Sequence, residues 1–412
     1  MKHQRALWLC LILIPGSILV AADLQEQALR LHKKILTLDT HCDTPLHMLD
    51  GQWNIAAYHA PNSSGSGKMD LPRMAGGNLD AEFFAVFVSQ RDCTPENYAW
   101  AQHQVDTLLT LVKRLCVDHA DTAALALTPA DARNNARRGR LSIYIGLENG
   151  FPIATDLGQV ARYYDAGIRY ITLCHTRNNQ ICDSSTDPKG PEHHGLSAFG
   201  EQVVQEMNRL GMLIDLSHAS DETFYDCLAA SNAPVFASHS CCRQLCDNPR
   251  NLSDDMLKAL AQKGGVMQMC ILSDYVKKTP PNPEREAAIQ ALQAQFGPWD
   301  KPRSDSLRRI YRKAYQVIDE RYPRAKATVA DVVDHIDHVV RLVGIDYIGI
   351  GTDFDGGGGV SGCDDVTEMP NITLELMRRG YSEKDIRKIW GENFLRVFEQ
   401  AQKTAKVSFR RL

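Results

Sequence analysis

The chain has 412 residues, of which 44% are hydrophobic and 23% are charged, and its formal net charge at pH 7 is -4. This composition is typical of a globular protein, and the length, although it exceeds two typical domains, is one that α/β barrels use for a single domain. The nearly balanced charge gives no basis for binding nucleic acid or an anionic membrane surface, so we expect neither as a partner.

The first segment of the chain has the pattern of a signal peptide. Lys2 and Arg5 precede an apolar run over residues 6–20, and small residues of signal-peptidase type follow the run. We therefore predict that residues 1–22 are a cleaved leader and that the mature chain, residues 23–412, is exported to the periplasm or secreted. The apolar run is short for a membrane span of about 20 residues. An uncleaved N-terminal membrane anchor is the alternative.

Strand-like and helix-like segments alternate along the rest of the chain. The predicted strands cover residues 35–40, 82–88, 141–147, 168–174, 212–216, 234–238, 265–271 and 347–351. The predicted helices cover residues 95–117, 129–138, 157–166, 198–210, 221–230, 254–262 and 329–343. Eight strands separated by helices predict an α/β fold, a (β/α)8 barrel of TIM type. A doubly wound open sheet is the alternative, but the first strand-to-helix turn has no G-x-G-x-x-G.

Two segments do not fit this alternation. Residues 273–326 are rich in Pro, Arg and Lys and contain two amphipathic stretches, which predict a helical excursion after the seventh strand and within the same domain. Residues 51–67 predict a flexible loop over the end of the first strand. The 12 cysteines lack the spacing of a zinc ribbon or a stapled scaffold, so we predict free buried thiols for most of them.

Metal-capable or titratable residues stand at six of the predicted strand ends. They are His41 and Asp43 at the first end, then Glu148, His175, His218, His239 and, at the last strand, Asp353. Taken alone, each of these residues could equally be a surface or capping residue, and a His-x-Asp such as His41 and Asp43 is common by chance. In a barrel, however, all these ends open on one face, where active sites lie. The set as a whole therefore predicts a metal site.

The residue types indicate how many metal ions the site holds. Three of these histidines, the glutamate and one of the aspartates already exceed the ligands of a single catalytic zinc, which takes three protein ligands and water. We predict two metal ions about 3.5 to 4 Å apart that share a carboxylate. Metal binding lowers the pKa of water toward about 7, so a hydroxide nucleophile is available at neutral pH.

Five motifs resemble those of the membrane dipeptidase (renal dipeptidase) family, whose members are binuclear zinc peptidases with an amidohydrolase-like barrel. The motifs are Thr40–Asp43, Gly146–Gly150, Asp215–His218, Ser238–Ser240 and Gly349–Gly356. The resemblance extends from about Leu36 to Phe398 in the same order. The length of the excursion after the seventh strand is similar to that of bacterial members of the family.

The resemblance implies a metal-binding role for five residues. His41 and Asp43 would bind one zinc ion, His218 and His239 would bind the other, and Glu148 would bridge the two. The implied cofactor is thus two zinc ions per chain. All five positions carry the residue that the family pattern requires.

The resemblance also implies the catalytic and substrate-binding residues. Asp353 matches the acid/base residue that takes a proton from the nucleophile and passes it to the leaving amine. His175 matches the substrate-binding histidine that stabilises the oxyanion. Arg250 matches the arginine that holds the terminal carboxylate of the substrate, a task suited to its planar fork of donors.

The implied activity is hydrolysis of dipeptides, with tolerance for a D-residue at the C-terminal position. The last ten residues, 403–412, are basic and polar, so the lipid-anchored membrane attachment of the animal enzymes is not carried over, and we expect no membrane span in the mature chain. A homodimer is possible.

One alternative function is that of a barrel metallohydrolase that acts on another amide or ester, although many of these enzymes bridge their metals with a lysine where this chain has His175. The other is a zinc-binding homologue without activity.

Overall fold

The computed structural model describes residues 15–61, 63, 65–297 and 305–406. Most of the predicted leader, residues 1–14, lies outside the described part of the chain, and the first helix covers Pro15–Lys34. None of the helices in the described residues has the length and apolar character that crossing a membrane requires.

Nine strands of the described chain form one parallel sheet. They are β1 Leu38–Cys42, β2 Ala81–Phe87, β3 Ala123–Leu125, β4 Leu141–Glu148, β5 Ile168–Thr172, β6 Leu213–Asp215, β7 Phe236–Ser240, β8 Val266–Met269 and β9 Ile348–Ile350. Eight of them follow one another in chain order, and β3 pairs with the first residues of β4, off this path. β3 was not predicted, because three residues are too few to show a strand pattern.

Hydrogen bonds across the first and last strands bend this sheet into a nearly closed barrel, as predicted. The backbone N–H of Asp353 donates to the carbonyl of His41 over 3.0 Å, and that of Asp43 donates to Phe354 over 2.8 Å. The Thr40 hydroxyl also donates to the carbonyl of Ile350 over 3.2 Å. An open doubly wound sheet has no such contact between its edges and is excluded.

Helices follow the strands and surround the barrel. They are α1 Pro15–Lys34, α2 Leu71–Gly76, α3 Pro95–Asp118, α4 Pro129–Ala136, α5 Gly158–Asp165, α6 Ala198–Leu210, α7 Asp221–Ala230, α8 Asp254–Gln262, α9 Ser273–Val276, α10 Pro283–Phe296, α11 Asp305–Arg321, α12 Val329–Val343, α13 Pro370–Arg378, α14 Glu383–Arg387 and α15 Asn393–Lys403. Ser197, Ser220 and Ser253 each cap a helix by accepting a backbone N–H of its first turn. Such local signals make these helices readable from the sequence.

Aromatic side chains fill the barrel at the amino-terminal ends of its strands. Phe83 of β2 and Phe236 of β7 meet Phe394 of α15, with ring centroids 5.3 and 5.4 Å apart. Tyr144 and Tyr170 stack against Phe83 in the same layer. Because α15 closes this end, the carboxyl ends of the strands are left to form the functional site.

The excursion between β8 and α12 contains α9, α10 and α11. The last two form a pair, here called the α10–α11 hairpin, which has a small core of its own made by Leu292, Tyr311 and Ile318. The Arg285 side chain of α10 donates to the carbonyl of Tyr322 over 2.9 Å and so ties the two ends together. The predicted helical insertion after the seventh barrel strand is therefore present.

Candidate metal centre

Glu148 lies at the middle of a cluster of histidines at the carboxyl ends of the strands. One carboxylate oxygen, Oε2, is 3.5 Å from Nε2 of His41. The other, Oε1, is 3.2 Å from Nε2 of His218 and 3.7 Å from Nε2 of His239. All four residues are buried. A single carboxylate thus has imidazole nitrogens on both of its oxygens, which is the arrangement of a bridging ligand.

The other predicted residues surround this core. Nε2 of His41 is 3.6 Å from Oδ2 of Asp43 and 3.9 Å from Oδ1 of Asp353. His175 approaches from the more open side, with its Nε2 3.6 Å from Oε1 of Glu148 and its side chain 22% exposed. The fold therefore brings together all seven residues that the sequence placed at the strand ends.

Three buried atoms of the cluster have no hydrogen-bonding partner among the described residues. They are Nε2 of His41, Oδ1 of Asp43 and Nδ1 of His218. Buried polar atoms without a partner are rare and costly in folded proteins. In addition, three sets of potential ligand atoms lie within 4.8 Å of one another: His41, His239 and Asp353; Glu148, His175 and His218; and His41, Asp43 and Glu148. Nitrogen and oxygen donors of this kind fit divalent metal ions such as zinc.

Three of these residues lie within the strands, although the sequence analysis placed them just beyond the strand ends. His41 belongs to β1, Glu148 is the last residue of β4, and His239 belongs to β7. Apolar runs mark the residues that face the core, so they end where the side chains begin to face the site. The backbone pairing continues for one or two residues more.

Hydrogen bonds on the far side of two imidazole rings fix their orientation. Nδ1 of His41 is 2.8 Å from the hydroxyl of Tyr170, and Nδ1 of His239 is 2.7 Å from Oγ of Ser238. The Ser238 hydroxyl in turn donates to Asp215 over 2.6 Å. Such partners hold the proton on Nδ1 and leave Nε2 free to bind a metal. Tyr170 was not among the predicted site residues, because it lies inside an apolar strand.

The backbone at two site residues is in the left-handed region. His218 has φ 71° and Asp353 has φ 61°, values that are uncommon for residues other than glycine and are concentrated at functional sites. The turn after Asp353 holds this conformation, since the backbone N–H of Gly358 donates to the Asp353 carbonyl over 2.7 Å. At Gly356, a Cβ atom would lie 2.2 Å from Oδ2 of Asp43 and 2.3 Å from Oδ1 of Asp353. Only glycine fits there.

Burial dominates the electrostatics of the protein atoms at the site. It raises the pKa of Glu148 to about 7, and the negative charge of Asp43 adds to this effect. Burial also raises the pKa of the Asp353 carboxyl well above its usual range. It lowers the pKa of His175 to about 3, with a further contribution from the Arg250 guanidinium. Neutral imidazoles are the form that binds metals, and a bound cation favours ionised carboxylates.

Arg250 is buried beside the cluster and is fixed by the end of β7. Its Nη1 donates to Oγ of Ser240 and its Nη2 donates to the carbonyl of His239, both over 2.9 Å. Within the described part of the chain its Nε has no hydrogen-bonding partner, and its guanidinium carbon lies 5.6 Å from the centre of the Tyr275 ring. The predicted substrate-binding arginine thus retains donors for a ligand beside the histidines.

Taken together, the fold and the cluster define a metal-binding β/α barrel of the amidohydrolase-like class. Residues 25–410 match the family model described as membrane dipeptidase, peptidase family M19. The chain belongs to this family, and it is accordingly a dipeptidase of a metallopeptidase family.

Curated relatives agree with this assignment. The chain is 31% identical over 392 residues to dipeptidase 3 of Rattus norvegicus, a match that covers 93% of this chain and 69% of the relative. It is 30% identical over 350 residues to dipeptidase tcpJ of Claviceps purpurea, covering 84% of this chain and 72% of the relative.

Solved structures give the same picture of the fold. The probable dipeptidase PvdM from Pseudomonas aeruginosa superposes with a TM-score of 0.79 at 31% identity, and the match covers 93% of this chain and 100% of PvdM. A metallopeptidase from Rhodobacter sphaeroides, solved with a phosphinate mimic of the dipeptide L-Ala-D-Ala, superposes with a TM-score of 0.71 at 22% identity, covering 89% and 99% of the two chains. The latter similarity concerns the fold alone.

Proposed function

We propose that this protein is a binuclear zinc dipeptidase that cleaves the single peptide bond of a dipeptide and accepts a D-residue at the C-terminal position. The observation that carries the proposal is the position of Glu148, whose two carboxylate oxygens face His41 on one side and His218 and His239 on the other. In this proposal His41 and Asp43 would hold one zinc ion, His218 and His239 would hold the other, and Glu148 would be shared between them.

The residues around the cluster would have different roles in peptide hydrolysis. When bound, the two zinc ions supply Lewis acidity and make water a nucleophile at neutral pH. Asp353 accepts the proton that water loses as it adds to the scissile carbonyl carbon, and it returns that proton to the nitrogen as the C–N bond breaks. His175, neutral and partly exposed at the open side of the site, donates a hydrogen bond to the oxyanion.

Arg250 sets the length of the substrate in this proposal. Its side chain is 3% exposed and is held at the end of β7 by two hydrogen bonds. A fixed guanidinium binds a carboxylate in a defined direction. The C-terminal carboxylate of a dipeptide would reach it from the scissile bond, whereas a longer peptide has no carboxylate at that distance.

Metal content and turnover of two histidine variants test the ligand roles. His41→Ala should abolish hydrolysis and lower the zinc content by about one ion per chain, since one site loses a ligand and the other keeps His218 and His239. The matched control is His103→Ala, because His103 is exposed on α3, away from the cluster. Wild-type turnover by His41→Ala would contradict the assignment.

The second candidate function is hydrolysis of another amide or of an ester. A panel of substrates distinguishes it from dipeptide hydrolysis. Zinc-loaded protein should cleave L-Ala-D-Ala and L-Ala-L-Ala, and Asp353→Asn should lower kcat by about 10²- to 10⁴-fold. Cleavage of a lactone or cyclic amide with no cleavage of either dipeptide would favour the second candidate. If the wild-type protein and Asp353→Asn are equally inactive on every substrate, the chain is a zinc-binding homologue without activity.

We also propose that residues 1–22 direct export and are removed, which leaves residues 23–412 as one domain in the periplasm or outside the cell. The support is the sequence pattern of basic residues, an apolar run and small residues. N-terminal sequencing of the exported protein should begin at Asp23. An N-terminus that still carries the apolar run, together with recovery in the membrane fraction, would indicate the anchored alternative.

A further inference from the structure

One buried carboxylate, that of Asp215, connects three neighbouring strands at the metal centre. Asp215 is the last residue of β6 and is fully buried. Its Oδ2 accepts hydrogen bonds from the hydroxyls of Thr172 on β5 and Ser238 on β7, over 2.5 and 2.6 Å. Its Oδ1 accepts the backbone N–H groups of Ser217 and Ser238, over 3.0 and 2.8 Å. Four donors from three segments therefore fix the orientation of this carboxylate.

The contact between Asp215 and Ser238 sets the direction of the hydrogen bonds that reach His239. A carboxylate only accepts hydrogen bonds, so the Ser238 hydroxyl uses its one proton to donate to Asp215. The Ser238 oxygen lies 2.7 Å from Nδ1 of His239 and can only accept there, because its proton is already engaged. Nδ1 of His239 therefore carries the N–H, and Nε2 keeps the lone pair that a metal ion needs.

The two histidines of this half of the centre are held in different ways. The backbone N–H of His239 donates to Oγ of Ser217 over 3.0 Å, and its carbonyl accepts Nη2 of Arg250 over 2.9 Å. Among the described residues, Nδ1 of His218 has no hydrogen-bonding partner. In the described part of the chain, hydrogen bonds behind the ring thus specify the proton position of His239 but not that of His218.

From these contacts we propose that Asp215 is a positioning residue of the metal centre. Acting through Ser238, it fixes the tautomer of His239 and so sets the zinc affinity of the site that His239 and His218 would form. The inference rests on the ligand roles proposed above. The His41 half has a separate outer partner, the hydroxyl of Tyr170, so a change at Asp215 should affect one half of the centre only.

The variant Asp215→Asn tests the proposal because it keeps the shape of the side chain and reverses the hydrogen bonds. The two backbone N–H groups at Oδ1 require an acceptor, so the amide oxygen takes that position and the NH2 group takes the position of Oδ2. The NH2 group then donates to the Ser238 oxygen, and the Ser238 proton is free to turn to Nδ1 of His239. This arrangement favours the tautomer with the proton on Nε2, which cannot bind a metal.

Competition with a chelator measures the effect on zinc-loaded protein. In Asp215→Asn, the affinity for one zinc ion should fall about 10- to 100-fold, and the affinity for the other should stay at the wild-type value. Thr172→Val is the matched control. It removes one hydrogen bond from the same carboxylate but leaves the Ser238 hydroxyl directed at Asp215, so both affinities should be those of the wild type. Unchanged affinities in Asp215→Asn, or an equal loss in Thr172→Val, would overturn the proposal.

Long-range ¹H–¹⁵N NMR spectra of the histidine side chains show directly which nitrogen carries the proton. The His239 signals, assigned by their absence in His239→Gln, should report the proton on Nδ1 in the wild type and in Thr172→Val. In Asp215→Asn, at a free zinc concentration that just saturates the wild type, they should report it on Nε2. A proton on Nδ1 in all three proteins would overturn the inference, whereas a general loss of packing would not move it.

The two measurements separate a failure of this inference from a failure of the proposed function. Two zinc ions bound by the wild type, with the same His239 tautomer in Asp215→Asn, would overturn the inference and leave the proposed ligands intact. If the wild type binds no zinc, the proposed function fails, and the NMR spectra alone then decide the inference. A shift of the His239 proton in Asp215→Asn supports it, and an unmoved proton overturns it.

Discussion

The hydrogen bond between Tyr170 and His41 joins an aromatic residue of the barrel interior to a proposed zinc ligand. It connects the Tyr170 hydroxyl to Nδ1 of the imidazole over 2.8 Å, and both residues are fully buried. Because the hydroxyl fixes the ring from behind, Nε2 is directed at Glu148 and Asp43. The position of the ligand thus depends on a residue that would not itself touch the metal.

Removal of this hydroxyl should weaken the site without unfolding the barrel. We expect Tyr170→Phe to lower zinc affinity about 10- to 100-fold, as is typical when the outer partner of a metal-binding histidine is lost, measured by competition with a chelator. Tyr144→Phe is the matched control. Tyr144 lies in the same layer, but its hydroxyl donates to the carbonyl of Thr128, so its loss should leave zinc affinity unchanged. Equal affinities for all three proteins would contradict the prediction.

The close approach of Gly356 to two carboxylates gives a second prediction at the residue scale. Gly356→Ala should abolish dipeptide hydrolysis and lower zinc content, because the added methyl group would displace Asp43 and Asp353. In Gly76→Ala, the nearest atom to the new methyl group is Cγ2 of Thr367 at 4.0 Å, and activity should be retained. Metal analysis and turnover of both purified variants provide the measurement, and an active Gly356→Ala enzyme would be inconsistent with the geometry.

At the scale of elements, the α10–α11 hairpin is stabilised mainly by its own small core. Leu292 is 7% exposed against Tyr311 and Ile318. We expect Leu292→Ala to lower the stability of the folded hairpin by about 2 to 4 kcal/mol. Limited proteolysis should then cleave between residues 283 and 321 earlier than in the wild type. Ile310→Ala, which truncates a side chain that is 53% exposed on α11, should be cleaved at the wild-type rate. Earlier cleavage elsewhere in the chain would place the weakness outside the hairpin.

Helix α1 docks on the barrel through a buried histidine, and this contact predicts a pH dependence. Nδ1 of His32 is 2.7 Å from the Thr373 hydroxyl, and burial lowers the pKa of His32 to about 4. The unfolded chain binds a proton near pH 6.5 and the folded chain does not. His32 therefore contributes stability that is present above pH 6.5 and is lost as the pH falls from 6.5 toward 4.

Denaturant unfolding at two pH values measures this effect. Between pH 7.5 and pH 5, wild-type protein should lose about 2 kcal/mol more stability than His32→Gln, in which no group titrates at this position. The difference between the two proteins isolates His32 from the other histidines of the chain. The same loss of stability in both would show that His32 is not the group responsible.

For the whole molecule, the metal centre is a concentration of buried carboxylates and imidazoles. Glu148, Asp43 and Asp353 lie within a few ångströms of His41, and in water-poor surroundings the carboxylates need a cation. We expect removal of zinc by a chelator to lower Tm by about 5 °C or more, since ligand binding stabilises the folded state by mass action. Re-addition of zinc should restore Tm. A Tm that is unchanged by zinc and by the chelator would rule out a metal bound preferentially to the folded state.

Sequence patterns were enough to predict the barrel and the identities of the residues around Glu148. Both are local features: strand and helix patterns repeat within short segments, and parallel strands that close into a barrel must place their carboxyl ends on one face. For the same reason, His41, His218 and Asp353 could be assigned to one site although more than 300 positions separate the first from the last.

The outer contacts that hold the site, and the segments that pack beside it, depend on the tertiary structure. The Tyr170–His41 bond spans 129 positions and the Lys68–Asp364 pair spans 296. No spacing rule relates such residues, because strand register and the docking of the helical excursion set their distance. The helices of the excursion were predicted, but the packing of the excursion against the loop after β9, where Nζ of Lys326 donates to Oδ1 of Asp364 over 2.6 Å, depends on how the closed barrel brings distant parts of the chain together.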